Sequence, residues 1–177
     1  MINSVPFYLC VVNQYNMRKI KNPWISREGY NCFGCCPDNP LGLHMVFFED
    51  GDDIVSYWKP GDRYQGWVNV LHGGIIASLI DELAGWVVFR KLQTTGVTSS
   101  LNVRYKKAIS TLEPELTIRG RITEQRRNLV TIVVEIMNSK GELCATGEAL
   151  YFAASQEKAR AEGFGPCELE GDELFSF

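Results

Sequence analysis

The chain has 177 residues, 45% of them apolar and 22% charged, with a formal net charge of −3. That length suits one domain with its own core, and that balance excludes a mostly disordered protein. The acid excess argues against a nucleic-acid partner, no apolar run reaches the ~18 residues of a membrane helix, and six cysteines are too sparse for a disulfide scaffold. The profile is that of a soluble, cytoplasmic, single-domain protein.

Residues 1–31 read as an N-terminal extension. Its stretch 5–12 is apolar but has no basic residue before it and no small-residue cleavage site after it, so it does not make a signal peptide. Basic residues come only later, at Arg18, Lys19 and Lys21, and Met17 is a candidate true start. Residues 43–49 and 54–59 predict two strands joined by the acidic turn 50–53, with Pro60 and Gly61 closing the hairpin. An irregular segment, 64–71, follows. From 74 to 92 the period becomes helical, because Ile76, Leu79, Ile80, Leu83 and Val87 recur at three- and four-residue steps. Four further strands are predicted at 97–108, 115–125, 128–138 and 142–152. In the second of them Leu116, Ile118, Gly120 and Ile122 alternate with Thr117, Arg119, Arg121 and Thr123, so one face packs on something apolar. Long strands with short turns make an antiparallel sheet, and the only substantial apolar helix must cover it. The predicted fold is α+β, a curved antiparallel sheet wrapped around one long central helix, over residues 32–155. Residues 156–177 hold six acids (Glu157, Glu162, Glu168, Glu170, Asp172, Glu173) and read as an acidic surface tail, part helical and part disordered.

Candidate chemistry gathers at the helix start. Gly73 and Gly74 let another group approach the backbone where the first helical amides lack partners, which is a candidate oxyanion site. Asp81 lies on the same helix, and the positions around it (Gly74, Ala77, Ser78, Ala84, Gly85 and Val88) are mostly small. An ionisable residue inside an apolar helix calls for a partner or a function. Glu82 points about 100° away and better suits an exposed or arginine-paired acid. Cys32, Cys35 and Cys36 form a Cys-x-x-Cys-Cys cluster. A zinc site needs about four ligands, and Cys10, Cys144, Cys167, His44 and His72 supply no second paired spacing, so these read as reduced structural thiols and no metal is expected.

The segment Gln65-Gly66-Trp67-Val68-Asn69-Val70-Leu71-His72-Gly73-Gly74-Ile75-Ile76-Ala77-Ser78-Leu79-Ile80-Asp81-Glu82 resembles the signature of hotdog-fold thioesterases, and more narrowly the PaaI-like branch of the 4-hydroxybenzoyl-CoA thioesterase superfamily. Cys32-Phe33-Gly34-Cys35 and Asn39-Pro40-Leu41-Gly42-Leu43 resemble the opening segment of one subgroup. The likeness covers residues 32–153. It implies that Asp81 is the catalytic carboxylate, acting as general base on water or as nucleophile on an acyl-CoA thioester. Gly74 is then the backbone donor to the thioester carbonyl, His72 the positioning histidine of the motif, and Thr98 a hydroxyl that orients water. Gly73, Asn69, Glu82 and Arg104 are the corresponding substrate-binding positions. The resemblance further implies no cofactor beyond the CoA of the substrate, and a homodimer or a tetramer built as a dimer of dimers. The chain departs from the pattern at Gly66, where many of these enzymes carry an asparagine or glutamine; Gln65 and Asn69 are nearby but out of register. A hotdog domain that binds acyl-CoA without turning it over therefore stands as the alternative, and a hotdog dehydratase as a weaker one. Lys106, Lys107, Arg119, Arg121, Arg126 and Arg127 read as the solvated outer face of the sheet, with Arg104 kept for CoA phosphates. Trp58, Tyr64, Trp67 and Trp86 read as core before pocket.

Overall fold

The structure, a computed structural model, describes residues 17–171; the apolar stretch 5–12 and the acids Asp172 and Glu173 lie outside them. Among the described residues the order is β1 (Arg18–Lys19), β2 (Phe48–Asp50), β3 (Asp53–Trp58), β4 (Gln65–Trp67), β5 (Val70–Leu71), α1 (Gly73–Leu92), β6 (Gly96–Tyr105), β7 (Leu116–Arg126), β8 (Leu129–Met137), β9 (Leu143–Ala153) and α2 (Gln156–Ala161). Seven strands form one antiparallel sheet in the order β1-β2-β3-β7-β8-β9-β6, and β4-β5 is a separate hairpin. The predicted architecture, a sheet around one long helix, is the observed one. No helix among the described residues is long and apolar enough to cross a membrane.

Helix α1 begins at His72 and ends at Gln93, which takes the left-handed conformation (φ 51°, ψ 45°) that closes a helix. It is buried on nearly every side between Leu79 and Val88, including Ala84, Gly85 and Trp86 outside the predicted stripe. The sheet covers one side, and the N-terminal segment covers the other: Phe47 stacks on Trp86 with centroids 4.4 Å apart, and Trp24 meets Phe89 edge-on. A helix packed from both sides is apolar all round rather than striped.

The sheet meets α1 through small residues. A Cβ at Gly147 would overlap Ile80 Cγ2, and one at Gly120 would stand 2.9 Å from Leu83 Cδ2. Ala145 and Ala149 lie on the same buried face of β9 as Gly147. The helix axis can therefore sit close to the strands.

Three expectations change. Within 43–49 only the last two residues enter a strand, because His44 adopts a left-handed φ of 53° that breaks the extended run. Leu43, Met45 and Phe47 are buried all the same, and the Leu43 and Met45 amides donate to Phe33 O and Gly34 O at 2.7 and 2.9 Å instead of to a ladder. The irregular segment 64–71 holds the β4-β5 hairpin, turned by Asn69 at φ 59°. Residues 156–171 are not a surface tail: Phe164, Cys167 and Leu169 are buried between the exposed acids, and the Cys167 carbonyl accepts from Arg90 Nη1 at 2.6 Å. Glu49 of β2 clamps the same end of α1, taking bonds from Arg90 and Lys91 at 2.9 Å. Burial alone would raise its carboxyl, and the two cations hold it below the usual carboxylate range.

Gly147→Ala is expected to destabilise the protein by about 1–3 kcal/mol through overpacking, measured by urea or thermal unfolding. Ile80→Ala should then cost less in the Gly147→Ala background than in the native chain, because removing the Ile80 branch makes room for the new methyl.

Candidate active site

His72 caps α1. Its backbone is extended (φ −64°, ψ 135°), and its Nδ1 accepts the Gly74 N–H at 2.8 Å, which satisfies one of the otherwise unpaired first-turn donors. That bond requires a neutral ring carrying its hydrogen on Nε2. The imidazole lies over Gly66, where a Cβ would come within 2.9 Å of His72 Cδ2. The glycine in place of an amide residue thus has a steric reason. Tyr105 of β6 donates to the Gly73 carbonyl at 2.9 Å and ties the helix start to the edge of the sheet.

Asp81 stands two turns further along, on the face shared with Gly74 and Ser78. It is half-buried. Its Oδ1 accepts from Thr98 Oγ1 at 2.7 Å, and the Tyr151 hydroxyl lies 3.2 Å from Oδ1 and 2.8 Å from the Asp81 carbonyl. Among the described residues Oδ2 receives no hydrogen bond. Burial, with the negative Asp81 adding to it and the Thr98 bond partly offsetting it, pushes the Tyr151 phenol well above its ordinary range, so it stays a donor. Gly85 leaves room for that hydroxyl, since a Cβ there would be 3.3 Å away.

Thr98 reaches Asp81 because of a bulge. β6 advances from Thr98 to Ser100 while its partner β9 advances only from Tyr151 to Leu150. The extra residue, Ser99, reverses the parity of the strand. Thr98 therefore shares the helix-facing side with Leu101, Val103 and Tyr105, which pack on the core or bond α1.

A cavity of about 450 Å³ opens along the helix start, lined by Phe33, Tyr64, Gln65, His72, Gly74 and Ser78. It ends one turn short of Asp81. The larger cavity of about 920 Å³ sits at the far end of α1, around Leu92, Gly96 and Phe152, and holds none of the predicted site residues.

The structure thus sets His72, Gly73 and Gly74 at the start of α1 and joins Asp81 to Thr98 two turns further along; it adds Tyr151 beside Asp81 and Gln65 beside His72, which the sequence reading did not place in the site. Other predicted positions lie elsewhere. Asn69 forms the hairpin turn, its amide 3.4 Å from Gln65 Oε1 and its carbonyl accepting from Thr111. Arg104 lies on the outer face of the sheet, lining a separate cavity of about 350 Å³ with Asn102, Thr146 and Glu148, because the Ser99 bulge puts it opposite in parity to Thr98. Glu82 is neither exposed nor arginine-paired; it faces the N-terminal segment, accepting from Trp86 Nε1 at 3.1 Å and from the Cys32 thiol at 3.5 Å. The basic outer face is mostly paired: Arg119 with Asp50 and Asp53, Arg126 with Glu124, Lys107 with Glu142. Trp58 and Trp86 are core, Tyr64 is a buried wall of the smaller cavity, and Trp67 is 77% exposed.

The family model described as Thioesterase superfamily matches residues 68–145, the span that holds the cap, Asp81 and Thr98. Solved structures are similar over a larger part. A thioesterase superfamily protein superposes with a TM-score of 0.63 at 24% identity, covering 68% of this chain; the chain spans only 62% of that protein. The fold is the hotdog. A hypothetical thioesterase of Streptococcus pneumoniae with coenzyme A matches this hotdog chain at TM-score 0.55 and 27% identity, over 58% of this chain and 79% of its own. A Streptococcus mutans protein bound to acetyl CoA matches at TM-score 0.59 and 18% identity, over 72% and 94%. A search of curated proteins finds no match. Within the hotdog, α1 is the enclosed helix and Asp81 its inward-held acid.

His72→Ala is expected to remove the cap and lower stability by about 0.5–2 kcal/mol, with His72→Asn recovering part of it. Thermal unfolding reads the loss, and faster hydrogen exchange at the Gly74 amide would locate it.

Proposed function

We propose that this protein is an acyl-CoA thioesterase of the PaaI-like branch, acting in the cytoplasm with Asp81 as its carboxylate. The observation that carries the reading is the held carboxylate: Thr98 and Tyr151 fix Oδ1 and no described residue bonds Oδ2. One oxygen is positioned and the other is left to act. Two similar proteins bind coenzyme A or acetyl CoA. Structures of the S. pneumoniae protein with an aspartate or a threonine changed to alanine are also similar to this one, and those are the residue types that share a bond here.

In the proposed reaction Asp81 Oδ2 takes a proton from water as the water oxygen attacks the thioester carbon. The carbonyl oxygen becomes an oxyanion and accepts from the Gly74 N–H, which His72 gives up by turning its ring. The carbon–sulfur bond then breaks, and the thiolate of CoA leaves with the proton held by Asp81. The thiolate is a good leaving group, so polarisation and a positioned base suffice, and the chemistry draws on no cofactor beyond the substrate's own CoA. The cavity beside His72 and Ser78 would take the acyl end. A second reading, binding without turnover, is favoured by the Gly74 amide already having a partner in His72.

The test is thiol release from a panel of aryl, short-chain and long-chain acyl-CoA substrates. Turnover on one class is expected, with Asp81→Ala lowering kcat by about 10²–10⁴-fold at unchanged circular dichroism, and Tyr151→Phe lowering it less with KM unmoved. Silence across the panel with retained acyl-CoA binding would replace hydrolysis by the second reading.

The same proposal includes a homodimer, itself able to pair into a tetramer. β6 is an edge strand of ten residues, and Val97 and Tyr105 on it are 67% and 56% exposed, as are Trp67 and Val68 of the hairpin at 77% and 74%. Open edges and exposed large apolar side chains call for cover. Light scattering on a sizing column should give two or four times the 20.0 kDa chain mass; a monomer would overturn this part.

A further inference from the structure

On the side of α1 turned away from Asp81, three groups with metal-ligating atoms converge. Cys32 Sγ, Cys35 Sγ and a Glu82 carboxylate oxygen all lie within 4.8 Å of one another, and Cys32 Sγ is 3.6 and 3.5 Å from the two Glu82 oxygens. Around a tetrahedral zinc ion, with Zn–S about 2.3 Å and Zn–O about 2.1 Å, neighbouring ligand atoms stand roughly 3.6–3.8 Å apart. Cys32 and Glu82 stand at that spacing already, and Cys35 Sγ lies within 4.8 Å of both. Cys35 is buried, and Cys32 and Glu82 are half-buried.

Each ligand atom is oriented by a further partner. The Gly34 amide donates to Cys32 Sγ at 3.3 Å. Trp86 Nε1 donates to Glu82 Oε1 at 3.1 Å. The Tyr30 hydroxyl stands 2.8 Å from Cys35 Sγ and is itself held by Asn22 Nδ2 at 2.9 Å. Outer bonds of this kind fix first ligands in metal sites. The carboxylate also presses on the loop between the cysteines: a Cβ at Gly34 would overlap Glu82 Cδ and Oε2. Only glycine permits that approach.

Charge decides between a metal and the other uses of a Cys-x-x-Cys pair. Two thiols and a carboxylate are gathered in a partly desolvated place, and among the described residues every ion pair is made by other acids, so no Lys, Arg or His neutralises Glu82. The bond with Cys35 holds the Cys32 thiol down to about 7 against burial and the Glu82 charge, so a sulfur ready to shed its proton stands beside an unneutralised carboxylate, and a divalent cation satisfies all three groups at once. Mixed sulfur and oxygen donors in a tetrahedral set suit zinc among the common divalent ions.

We propose that Cys32, Cys35 and Glu82 bind one zinc ion, with water in the fourth position, and that the ion clamps the 32–35 loop to α1. Phe33, held between the two cysteines, lines the cavity beside His72, so the ion fixes one wall of that cavity. Cys36 is not a ligand, since its thiol bonds the Tyr30 carbonyl instead. Binding displaces the two thiol protons to solvent and forms two Zn–S bonds and one Zn–O bond, with no change of oxidation state. The ion takes no part in the chemistry proposed for Asp81, and its uptake is read without any turnover.

The test uses the full chain expressed with zinc supplementation, desalted, and measured by elemental analysis and native mass spectrometry. One zinc per chain is expected, at a mass two hydrogens below apoprotein plus zinc. Cobalt(II) added to metal-free protein should give thiolate-to-cobalt charge-transfer absorption. Cys32→Ser and Cys35→Ser should lose both signals, Glu82→Gln should weaken zinc affinity at least tenfold, and Cys36→Ser should leave it unchanged. The proposal is overturned if native protein takes up neither zinc nor cobalt, or if the Cys32→Ser, Cys35→Ser double variant holds zinc as the native chain does. A metal-free mass two hydrogens low, marking a disulfide, would also overturn it, as would native affinity in Glu82→Gln.

Discussion

The close seat of α1 on the sheet is the constraint on which the rest of the molecule depends. Gly147 under Ile80 and Gly120 under Leu83 bring the helix down onto the strands, and the N-terminal segment closes over its other side. A helix enclosed this way has no water-facing stripe on which to leave acids. Asp81 and Glu82, adjacent in sequence and about 100° apart around the axis, must each find partners inside the fold. They find opposite ones. Asp81 turns to the sheet and takes two hydroxyls; Glu82 turns to the N-terminal segment and takes an indole N–H and a thiol. One pair of consecutive acids thus anchors two hydrogen-bonded clusters on two sides of a single helix.

How much of this was legible follows from the range of each interaction. The helix was readable because its signal is local: apolar residues recur every three or four positions whatever they touch. Its two-sided burial was not, because that depends on chain 17–47 folding back over it. The alternation in β7 was readable for the same local reason. Thr98 was reached only through family likeness, since a strict two-residue period would have put it on the outer face with Asn102 and Arg104; the Ser99 bulge reverses that, and one extra residue leaves no mark in the pattern. The same bulge explains why Arg104 is carried away from Asp81.

Tyr151 did leave a signal. The helix-facing positions of β9 are Ala145, Gly147, Ala149, Tyr151 and Ala153, so one large polar-tipped side chain interrupts a row of small ones, and Gly85 on the helix is small where it must fit. A buried tyrosine hydroxyl needs a bonding partner, and Asp81 supplies it. The Glu82–cysteine contact left none: 50 residues separate Cys32 from Glu82, and a ligand search by paired spacing looks for cysteines and histidines, not for an acid on a distant helix. The acidic C-terminal segment misleads in the same way, because its charge count hides Phe164, Cys167 and Leu169 spaced so that all three turn inward.

The His72 cap bears on how the proposed reaction would separate ground state from transition state. A side-chain cap is worth about 1 kcal/mol, whereas losing one donor to an oxyanion costs about 2.7–4 kcal/mol. A neutral thioester carbonyl is too weak an acceptor to draw the Gly74 N–H from His72 Nδ1, but a developing oxyanion is not. The amide would then change partners only as charge appears on the substrate, and its binding energy would be released where it accelerates the step rather than where it merely holds the substrate. Gly66 serves the resting state of that cap: with no side chain beneath it, the imidazole has space to lie against the backbone and hold the Gly74 N–H.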